Sequence, residues 1–228
     1  MPPKTPLPDR LRFALNWLEQ HSTQKDRDNL KRFGITATKF FGISMANMKV
    51  LARELGRDRE LAAALWKSGW YEARMLACLL DEPAKVTPVQ MDRWCRDFDN
   101  WAICDTACFH LFDRTPHAFT KIAKWASHKD EFVKRAAFAL LASVALHDKK
   151  AADEPFLDCM HLMEAAATDE RNFVKKGVVW ALRGVGGRNA VLFKVVSALC
   201  EKLIDTKDST ARWVGRTALR EIKKRAAR

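Results

Sequence analysis

Apolar residues recur at three- and four-residue intervals along nearly the whole chain, which is the period of an amphipathic α-helix. Alternating runs typical of strands are almost absent, and the few glycines and prolines lie between the periodic segments. Thr87-Pro88 and Thr115-Pro116 indicate helix starts, because Thr caps a helix and Pro fits its first turn. The pattern predicts helices over Pro8–His21, Ser44–Leu55, Glu60–Ser68, Trp70–Leu80, Pro88–Asp97, Asn100–Phe112, Pro116–Ser127, Glu131–His147, Glu154–Ala167, Arg171–Val185, Ala190–Ile204 and Ser209–Ala227.

Several of these helices resemble one another and predict a repeat. The segments that begin at Glu131, Arg171 and Asp208 share a polar start, an apolar residue, one or two basic residues and a small apolar helix. The segments that begin at Trp70 and Trp101 also resemble each other. Copies lie roughly 31 to 41 residues apart, in the range of HEAT-like repeats. Helix pairs that cannot bury their apolar faces alone stack into a solenoid. We therefore predict an all-α fold, an α-α superhelix of HEAT-like repeats with a concave basic groove, as a single domain over residues 1–228 with a flexible segment at 1–8.

The charge of the chain is strongly positive, with 40 Lys and Arg against 28 Asp and Glu, a net charge of +12. Charge alone is equally consistent with a solvated surface and with a polyanion partner. Basic residues recur near helix N-termini, where positive charge is unfavourable by ~0.3–1 kcal/mol, so the repetition favours phosphate as the compensating group. The recurring positions are Lys134, Arg135, Lys175, Lys176, Arg212 and Arg216, and a four-residue stripe continues through Arg220, Lys224 and Arg228.

Other classes of protein are disfavoured by the sequence. No apolar run approaches the ~20 residues of a membrane helix, and the first residues lack the apolar stretch of a signal peptide. The six cysteines are scattered, as in reduced cytoplasmic proteins. Cys104, Cys108 and His110 are the one candidate metal cluster, but no second cluster completes a zinc site. We expect no metal, no cofactor, no membrane partner and a cytoplasmic, nucleoid-associated protein.

Two aromatic residues and one carboxylate are candidates for chemistry. Trp101 and Asp105 are four residues apart and share one face of a helix. Asp105 is either an ordinary surface acid in an ion pair or an anion held against a cation that develops in a reaction. Trp180 lies four residues after Lys176 and three before Arg183, and it is either a packing residue or a wall of the site.

These segments resemble the bacterial AlkD-type HEAT-like-repeat alkylpurine DNA glycosylases, over about residues 25–222. The resemblance implies that Asp105 is the catalytic carboxylate, that Trp101 and Trp180 contact the lesion and its sugar, and that Arg135 contacts the DNA backbone. It also implies a monomer that removes cationic N3- and N7-alkylated purines from double-stranded DNA. The motifs that carry it are Trp101-Ala-Ile-Cys-Asp105, Phe132-Val-Lys-Arg135-Ala-Ala and Phe173-Val-Lys-Lys-Gly-Val-Val-Trp180-Ala-Leu-Arg183.

Three functions therefore remain open from the sequence. The first is a glycosylase, monofunctional because no lysine nucleophile stands at the position of Asp105. Its DNA backbone contacts would be Lys134, Arg135, Lys175, Lys176, Arg183, Arg212 and Arg216. The second is a non-catalytic HEAT-repeat protein that binds distorted or branched DNA. The third is a protein-interaction scaffold whose basic groove binds an acidic partner.

Overall fold

The computed structural model describes residues 5–226, and within them the chain forms fourteen α-helices and two short 3₁₀ helices but no β-strand. The all-α prediction is confirmed. The α-helices are α1 Leu7–Gln20, α2 Gln24–Arg32, α3 Met45–Leu55, α4 Arg59–Ser68, α5 Tyr71–Leu80, α6 Pro88–Arg96, α7 Trp101–His110, α8 Ala118–Trp125, α9 Glu131–His147, α10 Glu154–Asp158, α11 Met160–Ala166, α12 Asn172–Gly186, α13 Ala190–Ile204 and α14 Ser209–Ala226. The 3₁₀ helices are Pro83–Lys85 and Phe112–Arg114.

The largest differences from the predicted helices lie in α2, in residues 154–167 and in α8. Helix α2 was not predicted because Leu30 is its only buried residue, so the segment has no apolar period. Its start is fixed instead by Thr23, whose Oγ1 accepts a hydrogen bond from the backbone N–H of Asp26 at 3.1 Å. The helix predicted over Glu154–Ala167 is broken at Cys159 into α10 and α11. Helix α8 is shorter than predicted and begins at Ala118.

Contacts within the chain divide it into two compact units that are interleaved in sequence. The first unit comprises the described residues up to 86 together with 99–111, and the second comprises 87–98 together with the described residues from 112 onward. The single domain expected for residues 1–228 stays a prediction. The flexible segment expected at 1–8 lies in part outside the described residues, and α1 already begins at Leu7.

In the first unit α5 is the central helix. It packs against α3, α4 and α7, while α1 packs against α4. Eight of its ten residues are buried, including Leu76 and Cys78 with no exposed area. One of these eight is a carboxylic acid, Glu72, which is also fully buried.

In the second unit α9 has the central position. It packs against α6, α8 and, most extensively, α12. Gly184 permits this close approach, because a Cβ there would lie 3.1 Å from the Cα of Ala142. Helices α13 and α14 also pack closely, since a Cβ on Gly215 would lie 2.6 Å from the carbonyl oxygen of Cys200.

Candidate functional site

Helix α7 begins at Trp101 because the preceding residue caps it. The side-chain Oδ1 of Asn100 accepts hydrogen bonds from the backbone N–H groups of Ala102 at 3.0 Å and Ile103 at 3.1 Å. Asn100 is itself buried, and its Nδ2 donates to Oδ1 of Asp99 at 2.7 Å. Asparagine is among the strongest N-cap residues, so the sequence places the N-cap at Asn100 and the first residue of α7 at the candidate tryptophan.

The indole of Trp101 is held by a contact far along the chain. Its Nε1 donates a hydrogen bond to the backbone carbonyl oxygen of Phe33 at 3.0 Å, across 68 positions in sequence. Phe33 is the C-cap residue of α2, and the residue is itself 55% exposed. A buried or partly buried indole N–H needs such an acceptor. The contact fixes the plane of a ring that is partly accessible to solvent.

Asp105 lies one helical turn after Trp101 on the same face of α7. The residues between and beyond them, Ile103, Cys104 and Thr106, are buried, whereas Trp101 and Asp105 are partly exposed. The accessible stripe of this helix therefore consists of the two predicted site residues, followed by Phe109 four residues later. A carboxylate at the edge of a buried helix beside a fixed aromatic ring is suited to stabilise a cation that reaches this stripe.

A stretch of chain that follows Phe33 is anchored by a residue that sequence reasoning missed. The buried carboxylate of Glu72 accepts backbone N–H groups of Phe41 at 2.8 Å, Gly42 at 2.7 Å and Ile43 at 3.3 Å. The only signal in the sequence is an acid in an otherwise apolar stretch of α5, which also fits an ordinary surface position. Glu72 thus fixes the chain that follows Phe33 against the helix that packs on α7.

The two basic residues predicted on α9 have partners inside the protein. Nζ of Lys134 lies 2.9 Å from Oδ2 of Asp169, with 16% and 11% of the two side chains exposed. Arg135 is 7% exposed, and its Nη1 donates to the carbonyl oxygen of Phe173 at 2.7 Å. The hydrogen bonds from Arg171, opposed by burial and assisted by Lys134, hold the pKa of Asp169 well below its usual range. These residues join α9 to the start of α12.

Helix α12 presents a face to solvent on which basic residues are more accessible than Lys134 and Arg135 of α9. Lys176 is exposed, and Trp180 and Arg183 are partly exposed, at a spacing of four and then three residues that places them on one side. Arg183 forms an ion pair with Glu221 of α14 at 2.9 Å. Within the residues that the structure describes, the side chains of Lys176 and Trp180 form no ion pair, hydrogen bond or ring contact. Lys175 points elsewhere, with its Nζ 5.3 Å from the centre of the Trp213 ring.

The two basic residues predicted on α14 also differ from each other. Nη1 of Arg212 donates to the carbonyl oxygens of Thr206 at 3.1 Å and Lys207 at 2.7 Å, which closes the turn between α13 and α14. Arg216 is exposed and has no ion-pair partner among the described residues. Arg228, the last member of the predicted stripe, lies outside the described residues. Trp213, which is 40% exposed, was not among the predicted site residues.

The predicted site residues thus fall into two groups. Trp101 and Asp105 belong to the first unit, and the predicted DNA-contacting residues together with Trp180 belong to the second. Equivalent repeat positions have unequal roles. Arg135 and Arg212 bind carbonyl oxygens of the protein itself, and Lys134 and Arg183 bind carboxylates. Lys175 lies over the Trp213 ring. Lys176 and Arg216 are exposed and have no ion-pair partner among the described residues.

The described residues contain no group of three or more His, Cys, Asp or Glu side chains placed to hold a metal ion. The six cysteines are buried and unpaired with each other. Burial, with a smaller effect of neighbouring carboxylates, raises the pKa of Cys159 to about 11 and that of Cys200 to about 12. None of the helices in the described part of the chain is both long and apolar enough to cross a bilayer.

A family model described as DNA alkylation repair enzyme matches residues 14–222. The chain belongs to this family. The match confirms the relationship inferred from the motifs on α7, α9 and α12. A search of curated proteins found no match.

Solved structures support the fold of this family member. One is described as "A new family of proteins related to the HEAT-like repeat DNA glycosylases with affinity for branched DNA structures"; it has a TM-score of 0.76 and 16% identity, covering 92% of this chain and 94% of that one. At that identity the likeness shows the fold, which is a HEAT-like repeat fold. Lower similarity is found to an engineered protein (TM-score 0.43, 20% identity, 78% of this chain and 81% of that one) and to a designed armadillo repeat protein in complex with peptide (KR)4 (TM-score 0.41, 14% identity, 96% and 95%).

Proposed function

We propose that this protein is a monofunctional DNA glycosylase that hydrolyses the N-glycosidic bond of cationic N3- or N7-alkylated purines in double-stranded DNA. The observation that carries the proposal is the accessible stripe of α7. In a chain of the DNA alkylation repair family, the only partly exposed residues of the first six in this helix are Trp101 and Asp105. The expected monomeric state and nucleoid association stay predictions.

The chemistry required of such a site is small. An alkylated purine already carries a positive charge, so the electron pair of the N-glycosidic bond leaves with it and gives a neutral base without a general acid. The sugar becomes oxocarbenium-like, and Asp105 stabilises this charge while the Trp101 ring offers its electron-rich face. Water then adds its oxygen to the anomeric carbon and releases one proton to solvent or to Asp105. One preorganised group of this kind contributes about 2.7–4 kcal/mol.

The DNA backbone is proposed to lie along the basic residues of the second unit. Lys176 and Arg216 are exposed and bind no acceptor among the described residues, so phosphate contacts there cost no internal interaction. Arg183 shares its guanidinium with Glu221. Lys134, Lys175, Arg135 and Arg212 remain proposed contacts, but each already has a partner within the protein. We therefore expect Lys176 and Arg216 to contribute most to affinity.

Replacing Asp105 with asparagine tests the catalytic role. We expect Asp105→Asn to lower the rate of 7-methylguanine and 3-methyladenine release from methylated duplex DNA by about 10²–10³-fold, while DNA affinity is retained or increased because a negative charge is removed. Asp205→Asn is the matched control, since Asp205 is an exposed carboxylate after α13 and its loss should leave the rate unchanged. Release by Asp105→Asn at the wild-type rate, or no release by the wild type, would refute the proposal.

A second candidate function is non-catalytic binding of branched DNA. It is favoured by the description of the structural relative, which has affinity for branched DNA structures, and by the exposed basic residues of α12 and α14. This function predicts that a four-way junction binds more tightly than a linear duplex, with affinity that falls steeply as salt rises. Junction preference together with no release of alkylated base would select it over the glycosylase.

A further inference from the structure

Trp213 on α14 is a large aromatic residue that the fold leaves at the surface. It is 40% exposed, although Val214 beside it and Ala218 one turn later are buried with no exposed area. A tryptophan used only for packing would be expected to bury its ring. The backbone around Trp213 is well packed, since Gly215 lies against the carbonyl of Cys200. Its exposure is therefore a property of the helix face and not of a frayed end.

The face around Trp213 is positively charged. Lys175 of α12 places its Nζ 5.3 Å from the centre of the Trp213 ring, and Trp213 keeps its 40% exposure beside this cation. Three exposed cations follow Trp213 along the same side of α14, at helical spacing that repeats about every 6 Å. They are Arg216, Arg220 and Lys224.

A carboxylate beside this face, that of Glu221, forms an ion pair with Arg183 at 2.9 Å. The end of the face opens into a cleft whose lining is basic apart from Glu221. The lining residues are Arg183, Arg220, Glu221, Lys224 and Arg225.

We propose that Trp213 is a stacking site for an unpaired nucleobase, and that Lys175, Arg216, Arg220 and Lys224 bind phosphates of the same strand. The inference rests on the DNA binding in the proposed function but not on base excision. Aromatic side chains interleaved with cations are the means by which proteins bind single-stranded nucleic acid without sequence preference. In a duplex the faces of the bases are covered by their neighbours, and only edges and backbone are accessible. For the indole of Trp213 to stack on a base, that base therefore has to lie outside the duplex stack.

Two DNA probes without alkylated bases separate this site from the proposed catalysis. One is a blunt duplex, and the other is the same duplex extended by a short single-stranded arm, each labelled for fluorescence anisotropy. We expect Trp213→Leu to weaken binding of the armed probe by about tenfold and binding of the blunt duplex by less than about twofold. Trp213→Phe retains an aromatic face and should recover most of the affinity. Val191→Ala removes apolar area from another exposed position of the second unit and should change neither value.

The salt dependence of binding distinguishes stacking from a charge effect. Trp213→Leu should leave the slope of log affinity against log salt unchanged, whereas loss of a phosphate contact in Arg216→Gln should reduce it by about one. Equal losses on both probes, no loss on either, or no recovery by Trp213→Phe would overturn the inference.

An acidic polypeptide serves as a further probe. If its binding depends on Trp213 more than binding of the armed probe does, the face is assigned to a protein partner instead. Wild-type protein that binds the armed probe but releases no alkylated base would refute the glycosylase alone.

Discussion

The buried carboxylate of Glu72 offers a sharp test of how the first unit holds its candidate site. It accepts three backbone N–H groups, and the three donors belong to consecutive buried residues, Phe41 to Ile43. Glutamine at this position keeps the oxygen that accepts from Gly42 and Ile43. It replaces the oxygen that faces Phe41 with an NH₂ group, so a donor then points at a donor.

The expected loss of stability in Glu72 variants follows from the cost of a buried polar group without a hydrogen-bond partner, which is about 1–3 kcal/mol. Glu72→Gln leaves one such N–H and should lower the free energy of unfolding by about 2 kcal/mol. Glu72→Ala leaves all three and a space where the side chain was, and we expect a loss of at least about 4 kcal/mol. The order of stability, with the wild type above Glu72→Gln and Glu72→Gln above Glu72→Ala, is a firmer prediction than either value, because such contributions are not additive.

Urea denaturation of the wild type and of Glu72→Gln measures this difference through the transition midpoint at unchanged slope. Hydrogen exchange localises it, since the amide of Phe41 should lose more protection than the amides of α12. Glu54→Gln is the matched control, because Glu54 is an exposed acid of the same unit whose replacement should change stability by no more than about 0.5 kcal/mol. If Glu72→Gln is as stable as that control, the three hydrogen bonds do not anchor the segment and the reasoning is refuted.

Two further predictions concern the second unit. Burial raises the pKa of Asp92, but hydrogen bonds from Lys121, Lys124 and Trp125 outweigh it and lower that pKa to about 2. The stability contributed by Asp92 is therefore present above about pH 4 and is lost as the pH falls toward 2, by about 2 kcal/mol in all. The free energy of unfolding, measured at a series of pH values, should show this loss in the wild type and a smaller loss in Asp92→Asn. Gly215→Ala should destabilise the protein, because its Cβ would lie 2.6 Å from a backbone oxygen. Gly177→Ala meets only ordinary contacts from 3.5 Å and should be neutral or gain up to about 1 kcal/mol of helix propensity. In thermal melts, Gly215→Ala should lower the melting temperature relative to the wild type, whereas Gly177→Ala should leave it unchanged or raise it. Equal melting temperatures for the two variants would contradict the argument from close packing.

Periodicity predicted the helices that bury one face and failed where burial is slight. Helix α9 has the bounds that the pattern predicts, Glu131–His147, because its apolar residues face other helices throughout. Helix α2 has a single buried residue, so its existence depends on a cap and on charged side chains that a search for apolar period does not detect. The repeat comparison did identify equivalent positions that meet in the structure, since the rings of Phe132 and Phe173 are 5.3 Å apart.

The candidate site was predictable as a set of residues but not as a set of contacts. The four-residue spacing placed Trp101 and Asp105 on one face, whereas the carbonyl that fixes the indole lies 68 positions away. The sequence predicts Lys134 and Arg135 as a pair of surface residues. It does so because their partners, the carbonyl oxygen of Phe173 and the carboxylate of Asp169, lie on another helix or just before it. The local sequence pattern determines which residues lie on the same face of a helix. The hydrogen-bond or ion-pair partner of such a residue depends on how distant segments pack.

The interleaving of the two units has a consequence for the order in which the chain is made. Residues 99–111 belong to the first unit, and residues 87–98, which include α6, belong to the second. A ribosome therefore has to synthesise part of the second unit before the first can be completed. Until α7 emerges, the surface of α5 against which it packs is uncovered. No single cut separates the two units, because every fragment that contains one unit whole also carries a part of the other.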